Sequence, residues 1–155
     1  MSQLKVDSII PKDGLPSGSS GGSIQNKEAH LSSSVITSSN SFQETGLEVS
    51  ITPRSTSNKI LVRASGTVMN TSSGSGGGIT IFRGSTNIAP SGDLMAGYFG
   101  EDNSNNIENS AIAEILDAPN TTSAVTYSVR FRAFSGDFRF GQRGAGRIVV
   151  TEVSG

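Results

Sequence analysis

Val125-Thr126-Tyr127-Ser128-Val129-Arg130-Phe131-Arg132-Ala133-Phe134 decides the fold. Val125, Tyr127, Val129, Phe131 and Ala133 fall on one face of an extended chain, and Thr126, Ser128, Arg130 and Arg132 on the other. Alternation over ten residues is the period of a strand with one buried and one wet face; a helix would scatter the same apolar residues around its surface. No other run is as long or as regular, so this segment reads as a central strand of an all-β domain.

Outward from this strand, further short strands come at regular intervals. Ala118-Pro119-Asn120-Thr121-Thr122 is the turn that feeds it, and Ala111 to Asp117 before that turn reads as a strand or a short helix. Downstream lie a short strand Phe138-Arg139-Phe140, a Gly-rich turn Gly141–Gly146, and a closing strand from Arg147 to Val153. Upstream, Ile60, Val62, Ala64, Gly66 and Val68 alternate with polar residues in Lys59 to Val68, and Leu47, Val49 and Ile51 do so in the run that ends at Pro53. Ile24 to Ala29 is a weaker strand, His30 to Ser41 reads as extended chain or loop, and Thr71 to Gly78 reads as a loop before a strand at Ile79 to Arg83. Gly84 to Pro90 is a turn, and Ser91 to Ser110 is the least patterned part of the body. About eight strands follow residue 24, with no helical stretch. Short turns between consecutive strands predict hairpins and antiparallel sheets. A β-sandwich of jelly-roll type is the preferred architecture, with a small monomeric sandwich as the alternative.

The bulk composition agrees. The chain has 155 residues, 19 glycines and 27 serines, with 16% charged residues and a net charge of −1. That length fits one domain with an appendage. Full disorder needs few apolar residues and high net charge, which is not the case here. Near-neutrality offers no long-range attraction for nucleic acid or anionic lipid, and little repulsion between copies. There are no cysteines, so disulfides and thiolate metal sites are excluded. Residues 1–23 lack the apolar core of a secretory signal, and no apolar run approaches the ~20 residues of a membrane span.

The domain organisation follows from the N-terminus. Leu4-Lys5-Val6-Asp7-Ser8-Ile9-Ile10 is a short strand candidate closed by Pro11-Lys12-Asp13-Gly14. The nine residues from Leu15 to Ser23 have a linker composition that spans at most ~30 Å. Residues 1–23 are therefore expected to be an extended attachment arm, with Leu4, Val6, Ile9 and Ile10 as its docking residues, and residues 24–155 the sandwich.

Two blocks resemble a known family. Leu4-Lys5-Val6-Asp7-Ser8-Ile9-Ile10-Pro11-Lys12-Asp13-Gly14 is similar to the opening of virion structural proteins of tailed phages, especially cyanophages. Ser41-Phe42-Gln43-Glu44-Thr45-Gly46-Leu47-Glu48-Val49-Ser50-Ile51-Thr52-Pro53, with Ser57-Asn58-Lys59-Ile60-Leu61-Val62 and the run from Ile79 to Ala89, resembles the head domains of phage fibres. Arg147 to Val153 is similar to their last strand. The resemblance implies a homotrimeric jelly-roll head of tumour-necrosis-factor/C1q shape, and an arm that binds other virion proteins. It implies a non-enzymatic virion component: a short fibre, spike or knob, or alternatively a capsid decoration protein or a host-surface glycan-binding module. No repetitive shaft separates arm from head.

Candidate chemistry is sparse. His30 is the only histidine, there is no G-x-S-x-G elbow, and Gly74 to Gly78 lacks the Lys-Ser/Thr of a phosphate loop. Asp93, Glu101, Asp102 and Glu108 form the candidate exposed loop. They are read first as solvated side chains, and only secondarily as a calcium or glycan site or a glycosidase pair. Arg130, Arg132, Arg139, Arg143 and Arg147 make the C-terminal quarter basic, a patch open to nucleic acid, an anionic glycan or an acidic neighbour; Arg130 and Arg132, alternating on the polar face of a strand, are expected instead to pair with carboxylates across strands or subunits. Tyr127 and Phe131 are expected to be buried. Asn70-Thr71-Ser72 and Asn120-Thr121-Thr122 match the glycosylation acceptor, but are read as polar turns. No catalytic residue, cofactor, metal, membrane or nucleic-acid partner is expected.

Overall fold

The computed structural model describes residues 23–71, 74–99, 108–144 and 146–155. The arm residues Leu4, Val6, Ile9 and Ile10, and the loop residues Glu101 and Asp102, lie outside the described residues. The body is an all-β antiparallel jelly-roll sandwich. Its strands are β1 (Ser23–His30), β2 (Val35–Thr37), β3 (Gln43–Ile51), β4 (Lys59–Asn70), β5 (Gly76–Arg83), β6 (Thr86–Asn87), β7 (Ala96–Phe99), β8 (Glu108–Asp117), β9 (Val125–Ser135), β10 (Phe138–Phe140) and β11 (Arg147–Val153). Sheet A holds β1, β11, β4 and β8 in that order; β10, with β2 beyond it, continues on the β11 side of the long strand β4. Sheet B runs β3, β9, β5, with β6 and β7 sharing the far edge of β5.

β9 is the central strand of sheet B, flanked by β3 and β5. Tyr127, Val129, Phe131 and Ala133 are buried, as its alternation requires. They meet Leu47 and Ile51 of β3 and Ile79 and Ile81 of β5. Across the sandwich lie Ile60, Val62 and Ala64 of β4, Ile148 and Val150 of β11, Ala111 and Ala113 of β8, and Phe138 and Phe140 of β10. Ala111 to Asp117 belongs to a strand, because Ala111 and Ala113 must face the core together while Ile112 and Glu114 point away.

The antiparallel arrangement arises by a different route from the hairpins expected. Among the described residues, β5 and β6 are the only consecutive strands that pair. The chain otherwise crosses from one sheet to the other: β3 in B, β4 in A, β5 in B, β8 in A, β9 in B, β11 in A. Short turns therefore bridge the two layers instead of joining neighbours in one sheet.

Two local departures have clear causes. The glycine run expected as loop starts β5 at Gly76. A Cβ on Gly77 would sit 2.4 Å from Cγ of Phe138 and 2.3 Å from the Arg132 carbonyl oxygen, so the bare backbone makes room for the ring from the opposite sheet. In β3, the pairing with β9 jumps between Glu44 and Glu48. There the Thr45 hydroxyl donates to the Val129 carbonyl at 2.7 Å and accepts from the Leu47 amide at 3.1 Å, replacing the missing ladder bonds. Gly46 supplies the positive φ, 75°, that this bulge needs. The segment from Ser91 to Ser110 also carries strands, β7 and the start of β8. Periodicity did not reveal β7, which is only four residues long.

Candidate functional site: the two outer faces

The two faces turned away from the core differ in how they treat their apolar residues. On sheet A, the strand register places Leu61 of β4 between Leu116 of β8 and Thr151 of β11, and Ser65 between Ile112 and Arg147. Ile112 is 62% exposed, Leu116 52%, and Ile36 on β2 is 50%. Beside Ile112 and Leu116 lies a hollow of about 190 Å³ lined by Leu61, Arg63, Ser65, Arg147, Val149 and Thr151. A second, of about 240 Å³, is floored by Ser65, Gly66 and Thr67 next to Ile112. The small residues of β4 make the face concave where β8 is prominent. Two of its cations are paired with carboxylates: Arg63 with Glu114, and Arg147 with Glu28. The Arg147 guanidinium, by hydrogen bond and charge, and His30 to a lesser degree, hold the Glu28 carboxyl below its usual range. His30 Nε2 lies 3.6 Å from a Glu28 carboxylate oxygen, so the sole histidine stands at the surface beside this carboxylate.

On sheet B, aromatic rings are stacked against guanidinium groups. Arg130 lies over Phe82 at 4.2 Å, and Arg132 lies between Phe42 at 5.0 Å and Phe134 at 5.9 Å. Phe42 and Phe82 meet edge to face at 5.6 Å. Each guanidinium also reaches a carboxylate through Nη2: Arg130 donates to Glu44 at 3.0 Å, and Arg132 to both oxygens of Asp93 at 2.7 and 2.9 Å. Glu44 stands directly opposite Arg130 in the ladder, as cross-strand pairing predicts. Nε of both arginines is buried without a hydrogen-bond partner among the described residues. The segment after β6 closes over this face, with Leu94 against Gly78.

The residues expected to share one exposed loop are not brought together. Asp93 belongs to the outer face of sheet B, whereas Glu108 begins β8 in sheet A and pairs with Arg143 at 3.4 Å. Among the described residues no group of three or more His, Asp or Glu side chains gathers as a metal site. The basic C-terminal quarter is likewise engaged, with Arg139 bonded to Gln142 at 3.2 Å. Sequence reading missed the Phe42–Phe82–Phe134 cluster, because the three rings come from the lead-in to β3, from β5 and from β9. The outward alternation of Phe134 with Arg130 and Arg132 was its one visible trace.

Two internal polar clusters tie the layers and ends. Tyr127 Oη donates to Asp117 at 2.6 Å, and Arg83 Nη1 donates to both Asp117 oxygens at 2.9 Å, linking sheet B to sheet A. Burial, and then the Asp117 carboxylate, push the Tyr127 phenol well above its usual range. Glu152, on the inward face of β11, accepts from Gln25 Nε2 at 2.5 Å, the Arg54 amide at 2.7 Å and Asn58 Nδ2 at 2.6 Å. Desolvation raises its carboxyl, but these bonds outweigh that and hold it below the usual range.

No family model and no curated protein matches the chain in sequence. Among solved structures, the Eiger TNF of S. frugiperda aligns over 83% of this chain and 92% of its own, at 10% identity and a TM-score of 0.53. The VP2 subviral particle of infectious bursal disease virus aligns over 83% of this chain at 10% identity and a TM-score of 0.50; the chain spans 33% of the VP2 chain's length. At these identities the likeness is one of fold. The chain has the jelly-roll sandwich that a TNF and a viral shell protein also use.

Proposed function

We propose that the protein is a non-enzymatic structural component of a virion, a short fibre, spike or knob of a tailed phage. It self-associates as a trimer through the outer face of sheet A, and residues 1–23 anchor it to neighbouring virion proteins. One observation carries this reading: Ile36, Ile112 and Leu116 are half or more exposed on the outer face of sheet A, which also carries hollows lined by small and aliphatic side chains and by Arg63 and Arg147, both already paired with carboxylates. Burying a Leu or Ile fully is worth about 1.5–3 kcal/mol, so removing the exposed halves of three such side chains at each of several equivalent contacts is a substantial driving force. Closed rotational symmetry is the usual way to satisfy such a patch without an open-ended polymer. The resemblance of residues 4–14, 41–53, 57–62, 79–89 and 147–153 to phage structural proteins supplies the virion context.

Size-exclusion chromatography with light scattering tests the self-association. The wild type is expected at three times the chain mass at micromolar concentration, and the Ile112→Ser/Leu116→Ser double variant at one. A monomeric wild type would refute the reading. Low-resolution images of the particle, with and without the chain, place it at tail, vertex or capsid surface.

A further inference from the structure

We propose that the outer face of sheet B binds a neutral saccharide on the strip Phe42–Arg132–Phe134, with Asp93 and Glu44 as hydroxyl acceptors. The strip is an aromatic platform interleaved with hydrogen-bonding groups that are already fixed in place. Pyranose rings present apolar C–H faces bordered by hydroxyls that donate and accept in pairs. A site for them needs ring surface for the first and adjacent donors and acceptors for the second. Phe42 and Phe134 are partly exposed on either side of the Arg132 guanidinium, and supply the ring surface. Asp93 and Glu44 keep 53% and 76% of their side-chain surface exposed while bonded to Arg132 and Arg130. A carboxylate has about four lone-pair sites, so each can accept further hydrogen bonds from a ligand. Each guanidinium spends Nη2 on its carboxylate, which leaves Nη1 as a donor among the described residues.

Charge selects the ligand class. Every cation of the strip is matched by a carboxylate, and Glu48 adds one more acidic group on exposed β3. A polyanion gains nothing from guanidinium groups already neutralised, and meets exposed carboxylates. A neutral polyhydroxyl ligand uses both members of each pair and disrupts neither. Preorganisation favours the site as well. Asn87 Nδ2 donates to the carbonyls of Gly92 at 3.1 Å and Asp93 at 2.9 Å, and the Gly92 amide donates to Ala89 at 2.8 Å. The turn carrying Asp93 is thus held from below, and ordering it on binding costs little. This face belongs to the other sheet from the one proposed to self-associate.

Isothermal titration of the full chain with maltoheptaose and with a mannan oligosaccharide, alongside heparin and polygalacturonate oligosaccharides, tests the inference. At least one neutral oligosaccharide is expected to bind more tightly than either anionic one. Phe134→Ala and Asp93→Asn are each expected to weaken that binding at least tenfold while retaining the wild-type circular dichroism spectrum. Ile112→Ser is expected to leave the per-site affinity unchanged, which separates this site from sheet A self-association. The inference is overturned if no neutral probe binds the wild type, if the anionic probes bind more tightly, or if a folded Asp93→Asn variant binds as the wild type does.

Discussion

Glu152 is the residue whose loss the structure prices most directly. Its side chain is fully enclosed, yet it lies at the shallow end of the sandwich under the turn between β3 and β4. Replacing it with alanine removes the acceptor for three donors. Gln25 Nε2 keeps a partner in the Thr52 carbonyl at 2.7 Å, so the groups orphaned are the Arg54 amide and Asn58 Nδ2. An unsatisfied buried donor costs about 1–3 kcal/mol. Because the site is shallow, water reaches the vacated space, and the low end applies to each donor. The expected loss is about 2 kcal/mol for Glu152→Ala. Glu152→Gln keeps one carbonyl acceptor but turns an amide donor toward Gln25, and is expected to lose about 1 kcal/mol.

The same residue makes a prediction in pH. The folded-state carboxyl is held below its ordinary 4.5, so the stability it contributes is present above that value. It is lost as pH falls through the lower folded value. Urea denaturation followed by circular dichroism, at pH 7 and at steps down to pH 3, measures both effects. The wild-type advantage over Glu152→Gln should be full at pH 7 and shrink through the acid steps. Equal stability at pH 7, or a gap that does not narrow in acid, would refute the view that an ionised carboxylate clamps β1, β11 and the turn together.

Gly77→Ala is expected to destabilise by about 3 kcal/mol in the same denaturation assay, since its new methyl meets a backbone oxygen and a core ring that cannot both yield. Gly97→Ala, whose nearest neighbour would be 3.4 Å away, is the tolerated control, with a change within about 0.5 kcal/mol. Tyr127→Phe removes the bond to the Asp117 carboxylate and is expected to cost about 1–2 kcal/mol at neutral pH. Because the Tyr127 phenol is raised above its ordinary 10.0, its contribution is intact below that pH and fades as pH climbs toward the folded value. Alkaline denaturation should therefore cut wild-type stability more steeply than that of Tyr127→Phe.

The alternation of Val125 to Phe134 determined a half-buried strand from the chain alone, because side chains on a strand change face at every residue whatever the strand pairs with. The same rule placed Lys59 to Val68, Leu47 to Ile51 and Arg147 to Val153, and the order of these runs was enough for an all-β sandwich. Tertiary structure alone decided which strands are neighbours, since alternation records which face is buried and not what buries it. That is how antiparallel sheets came from crossings between layers and not from hairpins. Gly76 to Gly78 look like loop until Phe138 arrives from the other sheet against Gly77 and Leu94 covers Gly78 from outside. Asp93 and Glu108, fifteen positions apart in sequence, were separated because the chain changes sheet between them. Phe42, Phe82 and Phe134 became one surface because three separate segments meet on sheet B. Local periodicity is set by backbone geometry and is written in neighbouring residues, whereas a surface is assembled by packing and is not.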